Sequence, residues 1–135
     1  MVLQALYEAD VAGHTADASF GWLKEEVGLP EASSAYALEL IEGVVHQRDE
    51  IDKFIYKYAP AWPVKQLPVV DRNILRLALF EIRFGLGIPR KVAINEAVEL
   101  AKTFGSESSP RFINGVLGSV MDEIEKTSNV SQEGR

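Results

Sequence analysis

The stretch that most constrains this 135-residue chain runs from Val69 to Gly118, where three helical patterns are divided by Gly85 to Pro89 and by Gly105 to Pro110. At about 100° per residue, Ile74, Leu75, Leu77, Ala78, Ile82 and Phe84 of the first pattern spread over well over half of a helix circumference. A helix that apolar is central and enclosed by others. Its basic residues are sorted: Arg72, Arg76 and Arg83 fall within roughly 40° of one another, so their stripe is expected to be the one open side, as a solvated face or a partner contact. Glu81 falls in the middle of the apolar arc. A buried carboxylate needs a hydrogen-bonding or cationic partner, which points to structure before catalysis.

The second pattern, Arg90 to Phe104, places Ala93, Ala97, Leu100, Ala101 and Phe104 along one stripe. A face built of such small side chains lets helix axes approach closely. Lys91, Asn95 and Lys102 gather on the far face, and Gly105 stands where a left-handed cap would end the helix. The third pattern begins with Ser109 as a cap and Pro110 at the first helical position, and buries Ile113, Leu117, Val120 and Ile124. Free backbone donors and the helix dipole at such a start attract anions. Arg111 in that first turn opposes the dipole, which suggests an anionic visitor. Ser106, Ser108 and Ser109 add neutral donors, and Phe104 and Phe112 flank the loop. Rings beside basic and hydroxyl groups are the usual platform for unstacked bases. The plainer meaning is that both rings belong to the core.

The phrases DRNILRLALFEI, KVAINEAVELAKTFG and RFINGVLG, in this order and spacing, resemble the NusB family of transcription antitermination factors, with QALYEAD and Ile51-Asp52 as weaker echoes. The resemblance spans Leu3 to Ile124, and three linked phrases are far more specific than one short motif. It implies an all-α, compact bundle of about seven helices over residues 1–126; the stretch from 127 to 135 is polar, lacks an apolar stripe and is expected to be a disordered tail. It further implies pairing with the small-subunit ribosomal protein that acts as NusE, and binding by the pair to the boxA element, a single-stranded RNA of nascent rRNA transcripts, within an RNA polymerase antitermination complex. On the family's pattern the RNA-facing residues are Gln4, Lys102, Phe104, Ser106, Ser108, Arg111 and Phe112. The protein-facing ones are Tyr7, Asp71, Arg72 and Arg76. Ser108 stands where family members often carry an acid, which removes a repulsive charge from the RNA surface. The family also has an arginine-rich lead-in before the LQALY-like phrase, implicated in RNA binding. Here Met1-Val2-Leu3-Gln4 occupies that place, so the pattern expects either more chain upstream or weaker RNA binding through the rest of the surface.

A net charge of −6 argues at first against a nucleic-acid partner, because phosphate binding rests on lysine and arginine. The distribution alters that. Residues 1–60 hold four Lys/Arg against eleven Asp/Glu, residues 61–118 eight against five, and residues 119–135 two against four. An acidic part beside a basic part suits two partners of opposite character.

The remaining segments are expected to supply packing. Leu3, Leu6, Tyr7 and Val11 recur at helical spacing before Gly13, and a second helix capped by Asp17 or Ser19 turns Phe20, Leu23 and Val27 inward until Gly28 and Pro30. Ser33 or Ser34 opens a run with Tyr36, Leu40 and Val44 that resumes at Ile51, Phe54, Ile55 and Tyr58, as two helices or one bent one. Pro60, Trp62, Pro63 and Pro68 mark a connector with a short helical turn at its centre, anchored by Trp62. Absence of cysteine excludes disulfides and thiolate chemistry and suits a cytoplasmic setting. His14 and His46 lack second ligands nearby, so no metal is expected. No membrane-length apolar run and no phosphate loop, nucleophile elbow or HExxH motif appears, so neither membrane nor cofactor nor catalysis is expected. Two other functions remain open: the detached RNA-binding part of an rRNA cytosine methyltransferase, or a protein-only scaffold. Oligomeric state is left undetermined.

Overall fold

The computed structural model describes residues 2–11, 21, 31–61, 63–84 and 87–133, with side chains to residue 126 and not for 31–34. The helix expected between Asp17 and Val27, His14 and the Trp62 anchor lie outside the described residues. Among the described residues the elements with full bounds are six α-helices and one 3-10 turn: α1 (Val2–Val11), α2 (Glu31–His46), α3 (Arg48–Tyr58), the turn Val64–Gln66, α4 (Val69–Arg83), α5 (Arg90–Phe104) and α6 (Ser109–Glu133). The architecture is all-α. None of the described helices is long and apolar enough to cross a membrane.

The run read as two helices or one bent one is two. Gln47 joins them, donating to the Gly43 carbonyl and accepting from the Ile51 amide, both at 2.9 Å. α2 begins at Glu31, ahead of the serines expected to open it. Two prolines set the entries to α4 and α5: Pro68 and Pro89 hold extended ψ values of 139° and accept from Arg72 at 3.0 Å and Ala93 at 3.2 Å. Proline suits a helix start because its missing N–H would have no partner there. Gly87, at φ 88°, makes the turn between these two helices, a conformation that a Cβ disfavours. α6 continues to Glu133, through the stretch read from sequence as a tail.

α4 packs against α1, α2, α3, α5 and α6, and every residue from Asn73 to Ile82 is buried. The central helix is the one its apolar breadth predicted, although Phe84 at its end is 40 % exposed. Ala93, Ala97 and Ala101 form the buried stripe of α5, and Ile113, Val116, Leu117 and Val120 that of α6. The closest approach on the other side is at Gly43 of α2, where an added Cβ would stand 2.1 Å from Phe80 Cζ. Gly43→Ala is therefore expected to force the ring or the helix aside at a cost of about 1–3 kcal/mol, measurable by urea denaturation.

The arginine stripe is open at Arg83, while Arg72 is half-buried and Arg76 buried. Arg76, 4 % exposed, forks onto Asp52 (Nε–Oδ1 2.8 Å, Nη2–Oδ2 2.9 Å) and reaches Asp10 Oδ2 with Nη1 at 3.0 Å. Arg72 forks onto the same Asp10 with two bonds of 2.7 Å, and Asn73 Nδ2 donates to it at 3.0 Å. Arg48 adds a fourth cationic or amide neighbour at 3.5 Å. Arg83 does not share this arrangement, lying over the Phe54 ring at 3.8 Å. The phase of the helix was read correctly. Its surroundings were not, because the acidic groups that meet Arg72 and Arg76 are the chain's own. A second cross-link ties α3 to α6, where Lys57 Nζ donates to Glu123 at 2.7 Å and the Tyr58 hydroxyl donates to its other oxygen.

Burial alone would push the Asp10 carboxyl up, but the hydrogen bonds from Arg72 and Asn73 and the charges of Arg76 and Arg72 prevail and hold it at about 2. A depressed carboxylate adds stability that is complete above its unfolded value of about 3.8 and disappears as pH falls through about 2. Asp10→Asn should thus reduce stability by about 2 kcal/mol at neutral pH, with the difference vanishing in acid, as equilibrium unfolding across pH 2 to 7 would report.

Candidate nucleic-acid interface

The loop between α5 and α6 is held by its own serines. Gly105 is extended (φ −90°, ψ −173°), not left-handed; what requires glycine is proximity, since a Cβ there would lie 2.6 Å from Ser109 Cβ and 2.8 Å from the Ala101 carbonyl. Ser109 does not reach forward as a cap. It is buried at 1 % exposure, and its Oγ accepts the Ser106 amide at 2.9 Å while sharing a 3.0 Å contact with Ser106 Oγ. Ser106 Oγ also lies 3.3 Å from Ser108 Oγ, and the Ser108 carbonyl accepts from the Phe112 amide at 3.1 Å. The loop is thereby closed onto the start of α6, whose first turn carries the positive end of the helix dipole.

Around this frame Lys102, Phe104, Ser106, Ser108 and Arg111 are all exposed. Phe104, read as the end of the alanine stripe, leaves it at the last turn of α5 and is 58 % exposed. The two rings part company: Phe112 is half-buried and packs against the core, so it anchors the first turn of α6 while Phe104 is free to stack. Among the described residues Lys102 is paired only with the exposed Glu99, at 3.2 Å, a contact of the kind that contributes about 0–1 kcal/mol and yields readily to an anion. Glu107 is the one acid inside the loop, and it too is exposed. Gln4 is exposed on α1, which packs principally on α2 and α4 and not on the helices that carry this cluster.

The residues expected to face a protein partner fall into two groups. Tyr7 is 40 % exposed. Asp71 is 5 % exposed, with an Oδ1 that has no partner among the described residues, and Arg72 and Arg76 are engaged with Asp10 and Asp52. Those two aspartates are the structural residues that helical periodicity missed. The signal was present in the echoes QALYEAD and Ile51-Asp52, which end on the very carboxylates that meet the arginines. Glu81 also departs from expectation, having no hydrogen bond or ion pair among the described residues. No cluster of three or more His, Cys, Asp or Glu able to hold a metal occurs among them either.

Comparison with known proteins agrees with this fold. The NusB family model matches residues 1–122. The transcription antitermination protein NusB of Dehalococcoides mccartyi strain CBDB1 is 50 % identical over 133 residues, covering 98 % of this chain and 93 % of that protein. A T. maritima NusB structure superposes with a TM-score of 0.84 at 33 % identity, covering 90 % of this chain and 86 % of that one. A crystal structure of the antitermination factors NusB and NusE in complex with dsRNA gives a TM-score of 0.82 at 28 % identity, covering 90 % and 91 %. With family match, sequence identity and fold all in agreement, the chain belongs to the NusB family of transcription antitermination proteins.

Proposed function

We propose that this protein acts without catalysis, binding boxA-type single-stranded RNA of nascent rRNA transcripts together with the ribosomal protein that acts as NusE, as part of an RNA polymerase antitermination complex. The observation that carries the reading is the exposure of Phe104, Lys102, Ser106, Ser108 and Arg111 on the end of α5, the loop and the first turn of α6. A base stacks on the ring, the cations and hydroxyls hold the adjoining phosphates, and the buried Ser109 keeps the loop in shape. Phe112 acts from beneath by fixing the helix start. Gln4 belongs to a separate contact further along the strand. Tyr7 is the exposed point of the protein-facing surface, Asp71 is assigned to it on the family's pattern, and Arg72 and Arg76 hold α1 and α3 in position through Asp10 and Asp52. The relative named above is matched along 93 % of its own length, which favours this reading over a detached methyltransferase part.

The test is a titration of boxA RNA at several salt concentrations, with and without the ribosomal-protein partner. Phe104→Ala is expected to lose about 1–3 kcal/mol, the usual worth of a stacked base, and Arg111→Glu about tenfold or more in affinity at low salt. Arg111 is exposed, so its replacement should leave stability within about 0.5 kcal/mol. Wild-type affinity should fall with a log–log slope of about −0.7 per phosphate contacted. Equal affinities for the two variants and the wild type would remove this site, and no RNA binding at any salt would leave the protein-only scaffold.

A further inference from the structure

A second surface lies between α4 and α5, and it does not depend on the RNA reading. Glu81 of α4, 9 % exposed, lines an open cleft of about 20 Å³, room for one water-sized group, whose other walls are Ile74, Leu77, Ala78, Ala93, Ala97, Leu100 and Glu96. Among the described residues nothing donates to its carboxylate. The Tyr36 hydroxyl of α2, a residue 38 % exposed, is held above its usual range by burial and then by the charges of Glu81, Glu96 and Glu39, and no cation lines the cleft among the described residues. Burial, and then the charge of Glu96, drives the Glu81 carboxyl up to about 7.

We infer that this cleft receives a lysine side chain presented by a basic segment of a protein partner. A metal ion suits the site poorly, since hard cations need six or more oxygen ligands and the walls here are methyl and methylene groups. A lysine matches both features: its ammonium fills the water-sized room beside the carboxylates while its four-carbon stem lies over the apolar rim. The Tyr36 ring lies within the electrostatic reach of the same cation. The unpartnered Glu81 then gains the donor that a buried carboxylate otherwise lacks.

The experiment uses the full chain and an acetylated hexalysine peptide, with binding followed by calorimetry and the Glu carboxyl carbons by NMR. Binding is expected to weaken at least tenfold in Glu81→Gln/Glu96→Gln and to stay unchanged in Glu50→Gln, which removes an acid from the exposed face of α3. In the wild type the Glu81 carboxyl should become ionised at a lower pH when the peptide is bound. Equal weakening in all variants, or an unmoved Glu81 resonance in the complex, would mean diffuse attraction to an acidic protein and would overturn the inference.

Discussion

Replacing Arg76 with alanine is expected to remove about 3–5 kcal/mol of folding stability, the cost of breaking a buried ion pair by deleting one partner. The magnitude follows from what is left behind. Asp52 loses both arms of its fork, and Asp10, whose side chain is 5 % exposed, loses one of its charged donors. Two carboxylates would then remain in a site built for cations. Domains of this size hold only about 5–15 kcal/mol in total, so the variant should be close to unfolding at moderate temperature. Arg76→Lys keeps the charge but cannot form the planar fork, and is expected to fall between the two. Arg72→Ala should cost less, because that side chain is 15 % exposed and Arg76 remains on Asp10. Urea denaturation of the three variants is the measurement; a loss below about 1 kcal/mol for Arg76→Ala would mean that the network relaxes onto water. A cycle with Asp52→Asn would isolate the pairwise part.

Glu81 should behave in the opposite sense. Its folded-state value of about 7 stands above the ordinary 4.5, so the penalty for ionising it is absent below about pH 4.5, grows as pH rises, and is complete above pH 7. Glu81→Gln is expected to stabilise the protein by up to about 3 kcal/mol at pH 8. At pH 4, where both forms are uncharged, the two proteins should be equally stable. Denaturation midpoints measured from pH 4 to 8 would show the two curves diverging upward through this window. Parallel curves would mean that Glu81 is already compensated in the folded protein. An acid retained where it destabilises the free fold fits a residue whose partner arrives from outside.

Much of this molecule was legible before any coordinates. The breadth of the apolar arc from Ile74 to Ile82 marked α4 as central, and α4 does touch every other described helix. The alanine stripe of α5 and the Ile113–Leu117–Val120 stripe of α6 are buried as their spacing requires. The three linked phrases pointed to the family that the comparisons show. The errors have a common form. Spacing predicts a left-handed role for Gly105, where crowding by Ser109 is what requires glycine; it predicts Phe104 in the alanine stripe, which the ring leaves; and it makes Phe112 the equal of Phe104, whereas Phe112 packs inward. In each case the residue type and helical phase were correct and the neighbour was unknown.

Sequence by itself determined the helical periods, their order, and the grouping of cations, hydroxyls and a ring around one helix start, because these depend on residues within a few positions of each other. Only the tertiary structure decided which faces are covered. Arg72 and Arg76 look outward by phase and inward in fact, since Asp10 arrives from 62 and 66 positions away and Asp52 from 24. Helical phase is a local property, whereas burial and charge compensation are set by whichever distant segment comes to lie opposite.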